Sequence, residues 1–99
     1  MSFRLRYDKR FLRLLEALPG DVLSVARSKV KALADDPYPP GGAKELDDHP
    51  GFYRLWLPRD CRLVYQLIEE EAVVDLLYVG PKSPDLYEKL GLYRRSNPT

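Results

Sequence analysis

Arg54, Trp56 and Arg62 raise the chemical question in this sequence. They lie in a stretch, Arg54-Leu-Trp-Leu-Pro-Arg-Asp-Cys-Arg-Leu-Val-Tyr65, that reads as two strands joined by a tight loop. Side chains alternate along a strand, so Leu55, Leu57, Leu63 and Tyr65 can build one buried face. Arg54, Trp56 and Arg62 are then left on the other. Guanidinium groups match the geometry of phosphate with paired N–H donors. An exposed aromatic ring can stack on an unpaired base. Lys82 follows the last predicted strand and Tyr87 opens the last predicted helix, so both return to the same neighbourhood. Arg59, in the connecting loop, is a further candidate for substrate contact. Arginine is a poor base, because its pKa exceeds about 12. Arg54 and Arg62 therefore suit charge stabilisation, Lys82 suits proton transfer, and Tyr87 suits stacking or phosphate orientation.

Other chemistries find little support. The sequence has no paired-carboxylate, Ser-His-Asp, phosphate-loop or glycine-rich dinucleotide pattern. One histidine and one cysteine argue against a Cys/His metal site, and no metal or cofactor is expected. His49, before Pro50, is expected at the surface of a loop, and Cys61 is expected as a small core residue. The net charge is only +1, less than a dedicated nucleic-acid binder usually carries. What binds phosphate, however, is the local distribution. The acidic residues gather in Asp35-Asp36, Asp47-Asp48 and Glu69-Glu70-Glu71, all predicted turns, which leaves room for a basic face elsewhere. A lone cysteine, no apolar run of membrane length and no signal-peptide pattern lead to the expectation of a cytoplasmic protein without membrane contact.

The elements that must position these residues follow from periodicity. With 99 residues, 44% of them hydrophobic and 31% charged, a single globular domain over 1–99 is expected. Residues 2–7 alternate as a strand, with Phe3, Leu5 and Tyr7 inward. Asp8 caps a helix bearing Phe11, Leu14, Leu15 and Leu18 at helical spacing. Pro19-Gly20 breaks it, and Asp21 caps a second helix with Leu23, Ala26, Val30 and Leu33 on one stripe. The short connection predicts an antiparallel helix pair. Residues 35–51, rich in proline and glycine, read as a loop. Three strands follow near 52–57, 61–68 and 72–79.

Register follows from burial. Tyr53, Leu55 and Leu57 share a face with Leu63, Tyr65 and Leu67 only if Leu57 pairs with Cys61, which puts Arg62 opposite Trp56. Pairing Glu69 with Ala72 keeps Asp75 out of the core, where an unpaired carboxylate costs several kcal/mol. It places Val74, Leu76 and Tyr78 inside and Arg62 opposite Val79. Ser83-Pro84 signals a last short helix, ended by Gly91. The fold class is α+β: an N-terminal strand, a helix pair, a three-stranded antiparallel meander completing a four-stranded sheet, and a short C-terminal helix.

The block "FYRLWLPRDCRLVYQLIEEEAVVDLLYVGPKSPDLY" resembles the RelE-type toxins of toxin–antitoxin systems, within the wider RelE/ParE superfamily. The resemblance lies in tyrosine-arginine entering the first strand, "RLVYQ" in the second, an apolar strand ending in "VG", a basic residue, and then "LY". It implies helices on one sheet face and an active site on the other. It implies a ribosome-dependent endoribonuclease that cleaves mRNA by metal-independent 2′-OH transesterification. Arg54, Arg62 and Tyr87 match family site positions, Lys82 stands where the family usually has an arginine, and Trp56 stands where the family commonly has a lysine that acts as general base. The implied partners are a cognate antitoxin, the ribosome and mRNA. The alternatives are a ParE-like inhibitor of DNA gyrase and a non-catalytic binding protein of the same fold.

Overall fold

A computed structural model of the chain describes residues 2–38, 43–46 and 49–82. The expected C-terminal helix, with its Ser83 cap and Tyr87, lies outside the described residues. The elements run β1 (Arg4–Arg6), α1 (Lys9–Glu16), α2 (Gly20–Asp35), β2 (Ala43–Leu46), β3 (His49–Leu57), β4 (Cys61–Ile68) and β5 (Val73–Pro81), with a 3-10 turn at Glu69–Glu71. The strands form one sheet in the order β1-β5-β4-β3-β2, with β1 parallel to β5 and the other pairs antiparallel.

The α+β class is as expected, but the sheet has five strands where four were predicted. The extra strand is β2, inside a segment read as loop. Prolines and glycines on both sides hide its four residues. Pairing with β3 supplies the order that local propensity lacks, as edge strands often show. The same pairing extends β3 back to His49. The predicted surface histidine is therefore buried, at 4% exposure, with its ring set edge-on to Phe52.

Both helices cover one sheet face. Asp8 caps α1 as predicted, its carboxylate accepting from the Phe11 N–H at 2.9 Å. Phe11 then enters the core with Leu18, Val22, Ala26 and Leu33, against Leu55, Leu57, Cys61, Leu63, Tyr65, Leu67, Val74, Leu76 and Val79. Each large apolar side chain so buried contributes roughly 1.5–3 kcal/mol. Asp21 does not cap α2. That helix begins two residues earlier than a cap at Asp21 would place it, with Pro19 at the cap position, and Asp21 sits in the first turn, near the positive end of the dipole. Strand β1 stops at Arg6, so Tyr7 leaves the pleat and stays half exposed instead of joining the core.

The β3–β4 register matches the expectation, with Leu57 opposite Cys61 and Trp56 opposite Arg62. The β4–β5 register matches it through Ile68–Val73, Leu67–Val74, Gln66–Asp75 and Tyr65–Leu76, then shifts. Leu77 is an extra residue, a bulge, and it reverses the facing of the rest of the strand. Val79 enters the core, and Tyr78 turns to the opposite face beside Val64. Arg62 consequently pairs with Gly80, where Val79 had been expected. The extra residue lets Leu76 and Val79 share the core face, which strict alternation forbids.

Gly80 is required at its position. Its φ is +153°, and a Cβ there would lie 2.8 Å from the Tyr78 hydroxyl oxygen. That hydroxyl donates to the Pro81 carbonyl at 2.8 Å, so the ring straps the end of β5. Gly80→Ala is expected to lower stability by about 1–3 kcal/mol, read as a drop in the urea midpoint. Tyr65 yields a second prediction. Its hydroxyl donates to the Pro37 carbonyl at 2.8 Å, and burial, then neighbouring Tyr53, raises its pKa above the usual 10.0. Below pH 10 folded and unfolded chains both hold this proton, so the contribution is intact. Above that pH the unfolded chain ionises first, and stability falls. Denaturation midpoints measured from about pH 8 to pH 11 should decline. Tyr65→Phe should make that decline shallower while costing about 1 kcal/mol at neutral pH.

Candidate nucleic-acid interface

The sheet face away from the helices is assembled by cross-strand neighbours. Side chains opposite one another in an antiparallel pair point to the same side. One row runs Lys44, Arg54, Val64, Tyr78 across β2, β3, β4 and β5. The next runs Trp56, Arg62, Gly80. A small apolar cluster of Leu46, Phe52 and Leu77 closes the other end.

The register thus brings Arg54, Trp56 and Arg62 together as predicted, but Arg62 is not at the surface. Only 2% of it is exposed. Its Cζ lies 3.4 Å from the centroid of the Trp56 ring, and its Nη1 donates to the Cys61 carbonyl at 3.3 Å. Among the described residues its buried Nε has no hydrogen-bond partner and it forms no ion pair. Central strand β4 has neighbours on both sides, and the indole forms the roof. A desolvated cation–π contact of this kind contributes about 2 kcal/mol. It offsets part of the cost of burying the charge. Trp56 itself is 54% exposed. Arg54 is half-buried, with its Cζ 5.9 Å from the same ring centroid.

Lys82 is exposed, and its N–H donates to the Asp60 carbonyl at 3.0 Å. That bond fixes the chain just past β5, two residues beyond the partner of Arg62. Arg59 lies apart from these two rows. Its Nε pairs with Asp21 Oδ2 at 3.0 Å, tying the β3–β4 turn to the start of α2 on the helix side. Both partners are solvent-exposed, so the pair contributes little to stability. Arg59 and Asp60 both adopt φ of 58°, and the turn closes through the Cys61 N–H and the Pro58 carbonyl at 3.2 Å. Tyr87 lies outside the described residues.

Sequence reading missed two members of this face. Lys44 fell in the presumed loop, where only the weak alternation of Ala43-Lys-Glu-Leu46 signalled a strand. Tyr78 was expected in the core, and the bulge moved it. The run Leu76-Leu-Tyr-Val79, apolar without clean alternation, was the available signal. Burial, then Cys61, raises the Tyr78 pKa, so at neutral pH it is a hydrogen-bond donor. Among the described residues no group of three His, Cys, Asp or Glu side chains converges as a metal-binding set.

No family model matches the sequence, and no curated protein matches it. Solved structures do. A double mutant of the E. coli toxin RelE in the free state is 27% identical, with 96% of this chain and 98% of that one covered at a TM-score of 0.76. RelE in the intact E. coli RelBE toxin–antitoxin complex is similar at 28% identity, 83% and 99% coverage and a TM-score of 0.70. The archaeal RelE–RelB complex from Pyrococcus horikoshii is 18% identical, with 85% and 99% coverage and a TM-score of 0.67, a likeness of fold alone. With 96% of this chain and 98% of free RelE superposed at a TM-score of 0.76, the chain has the RelE-type toxin fold.

Proposed function

We propose that this protein is the toxin of a toxin–antitoxin pair and that its target is RNA, which it cleaves on the ribosome by transesterification at a 2′-OH. The observation that carries this reading is Arg62: a buried cation without an acidic partner among the described residues, beside Arg54 and Lys44 on the sheet face away from the helices. A fixed positive charge in a poorly solvated site acts on a nearby anion more strongly than a solvated charge does. Cleavage requires charge stabilisation at the phosphate and proton transfer at both oxygens.

In this reading Arg54 and Lys44 contact the phosphate directly. Arg62 supplies the field from beneath Trp56 rather than a guanidinium fork. Lys82, exposed at the end of β5, moves a proton. Tyr87 orients the phosphate or stacks on a base. Protein cations supply all the charge stabilisation, so the reaction as proposed needs no metal. Arg59, engaged with Asp21, takes no part. The partners are a cognate antitoxin, the ribosome and mRNA, and the protein works in the cytoplasm. An acidic antitoxin segment would complement Lys44, Arg54 and Lys82.

One observation favours a second reading. Trp56, not a lysine, faces Arg62, which removes a proton acceptor from the centre of the face. A ParE-like toxin that binds DNA gyrase needs none. The two readings separate on induced expression. Arg54→Ala and Lys82→Ala, each checked for folding by its denaturation midpoint, should each reduce growth arrest and mapped mRNA cleavage at least about tenfold. Undiminished arrest in both variants would sink the cleavage reading. Inhibited supercoiling with mRNA intact would establish the gyrase reading in its place.

A further inference from the structure

Trp56 presents two unlike sides. One is in van der Waals contact with the Arg62 guanidinium, whose Cζ lies 3.4 Å from the ring centroid. Yet the residue keeps 54% of its surface in water, the most exposed of the large apolar side chains described. An indole free to rotate would ordinarily fold down over apolar neighbours. This one is backed by a cation packed into the sheet: Arg62 is 2% exposed, lies on the central strand and donates from Nη1 to the Cys61 carbonyl. The outer side of the ring is therefore a flat, pre-positioned aromatic surface. Lys44 and Arg54 are in the adjacent row and Gly80, without a side chain, completes its own.

We infer that Trp56 is a base-stacking platform: an unpaired nucleobase lies on the outer side of the indole, and Arg62 backs the ring from below. This inference rests on the RNA reading above and adds where the base binds and what holds the platform rigid. A π-face is common to all bases, so the platform is tolerant of sequence, with purines favoured by their larger overlap. Phosphates flanking the base fall toward Arg54 and Lys44, which fixes the register of the strand. The guanidinium draws electron density inward through the indole and makes the outer side a better partner for an electron-rich purine. Arg62 in this arrangement is a positioning residue for Trp56.

Trp56 is the only tryptophan, so emission excited at the red edge, beyond tyrosine absorption, reports this platform alone. The test titrates the full chain, at low salt, with dye-labelled single-stranded oligoadenylate and with an abasic chain of equal length and phosphate number. Dye anisotropy reads binding, and tryptophan emission reads stacking. Oligoadenylate is expected to quench the emission and to bind roughly tenfold more tightly than the abasic chain. Trp56→Phe should keep most of that margin and Trp56→Ala should abolish it, with abasic binding unchanged in both. Equal binding of the two chains with unchanged emission overturns the platform and leaves the RNA reading standing. Tighter binding of both chains to the Trp56→Ala variant also overturns it, because Trp56 would then be a cover over Arg62. Absence of binding to either chain overturns the RNA reading and the platform together.

Discussion

The burial of Arg62 on the central strand governs the rest of the molecule. Strand β4 is covered on both sides: from Cys61 to Tyr65 every residue is buried, although alternate side chains point to opposite faces. On one side the cover is the helix layer. On the other it is Trp56 and the neighbours of Val64. A charge in such a strand must find a partner or remain costly. Arg62 has an aromatic face and a backbone carbonyl, with no carboxylate among the described residues. The incomplete compensation gives the face its chemical character, since buried polar groups without partners tend to mark function.

The β5 bulge connects this interaction to the fold. Leu77 allows Leu76 and Val79 both to join the helix-facing core, and the same reversal places Tyr78 and Gly80 beside Val64 and Arg62. Gly80 leaves space over which the Tyr78 ring lies, and the Tyr78 hydroxyl anchors the Pro81 carbonyl. Core packing on one face therefore determines the chain's exit on the other, and with it the position of Lys82. The helix layer contributes at a distance. Capping by Asp8 fixes the start of α1, from which Phe11 enters the core, and the exposed Asp21–Arg59 pair links the hairpin tip to the start of α2.

The cationic face and the modest net charge of +1 are compatible because the charges are sorted by element. Glu69, Glu70 and Glu71 sit in the turn at the far end of β4, and Asp75 pairs with Arg6 near the sheet edge. Lys44, Arg54 and Arg62 lie in the two rows nearer the β3–β4 turn, and Lys82 follows the β5 end of the second. Affinity for an anion depends on the local field over a few ångströms, since charges beyond about 10 Å are screened at ordinary salt. Totals therefore say little about such a face.

By itself the sequence determined the helix-capping aspartate, the apolar stripes, the α+β order of elements and the pairing of Trp56 with Arg62. These depend on interactions between residues near in the chain, or on an alternation so regular that one register alone keeps charge out of the core. Tertiary structure decided the second edge strand, the bulge at Leu77 and the burial of His49 and Arg62. Edge strand β2 exists because β3 offers it hydrogen bonds, and its own four residues carry too little propensity to announce it. The bulge balances core volume against strand pairing, which no local window contains. Whether an arginine on the outward parity of a strand meets water or an indole depends on the neighbour across the pair. Parity placed Trp56 over Arg62, but only the close packing of the folded sheet brought the ring to 3.4 Å and excluded water from the charge.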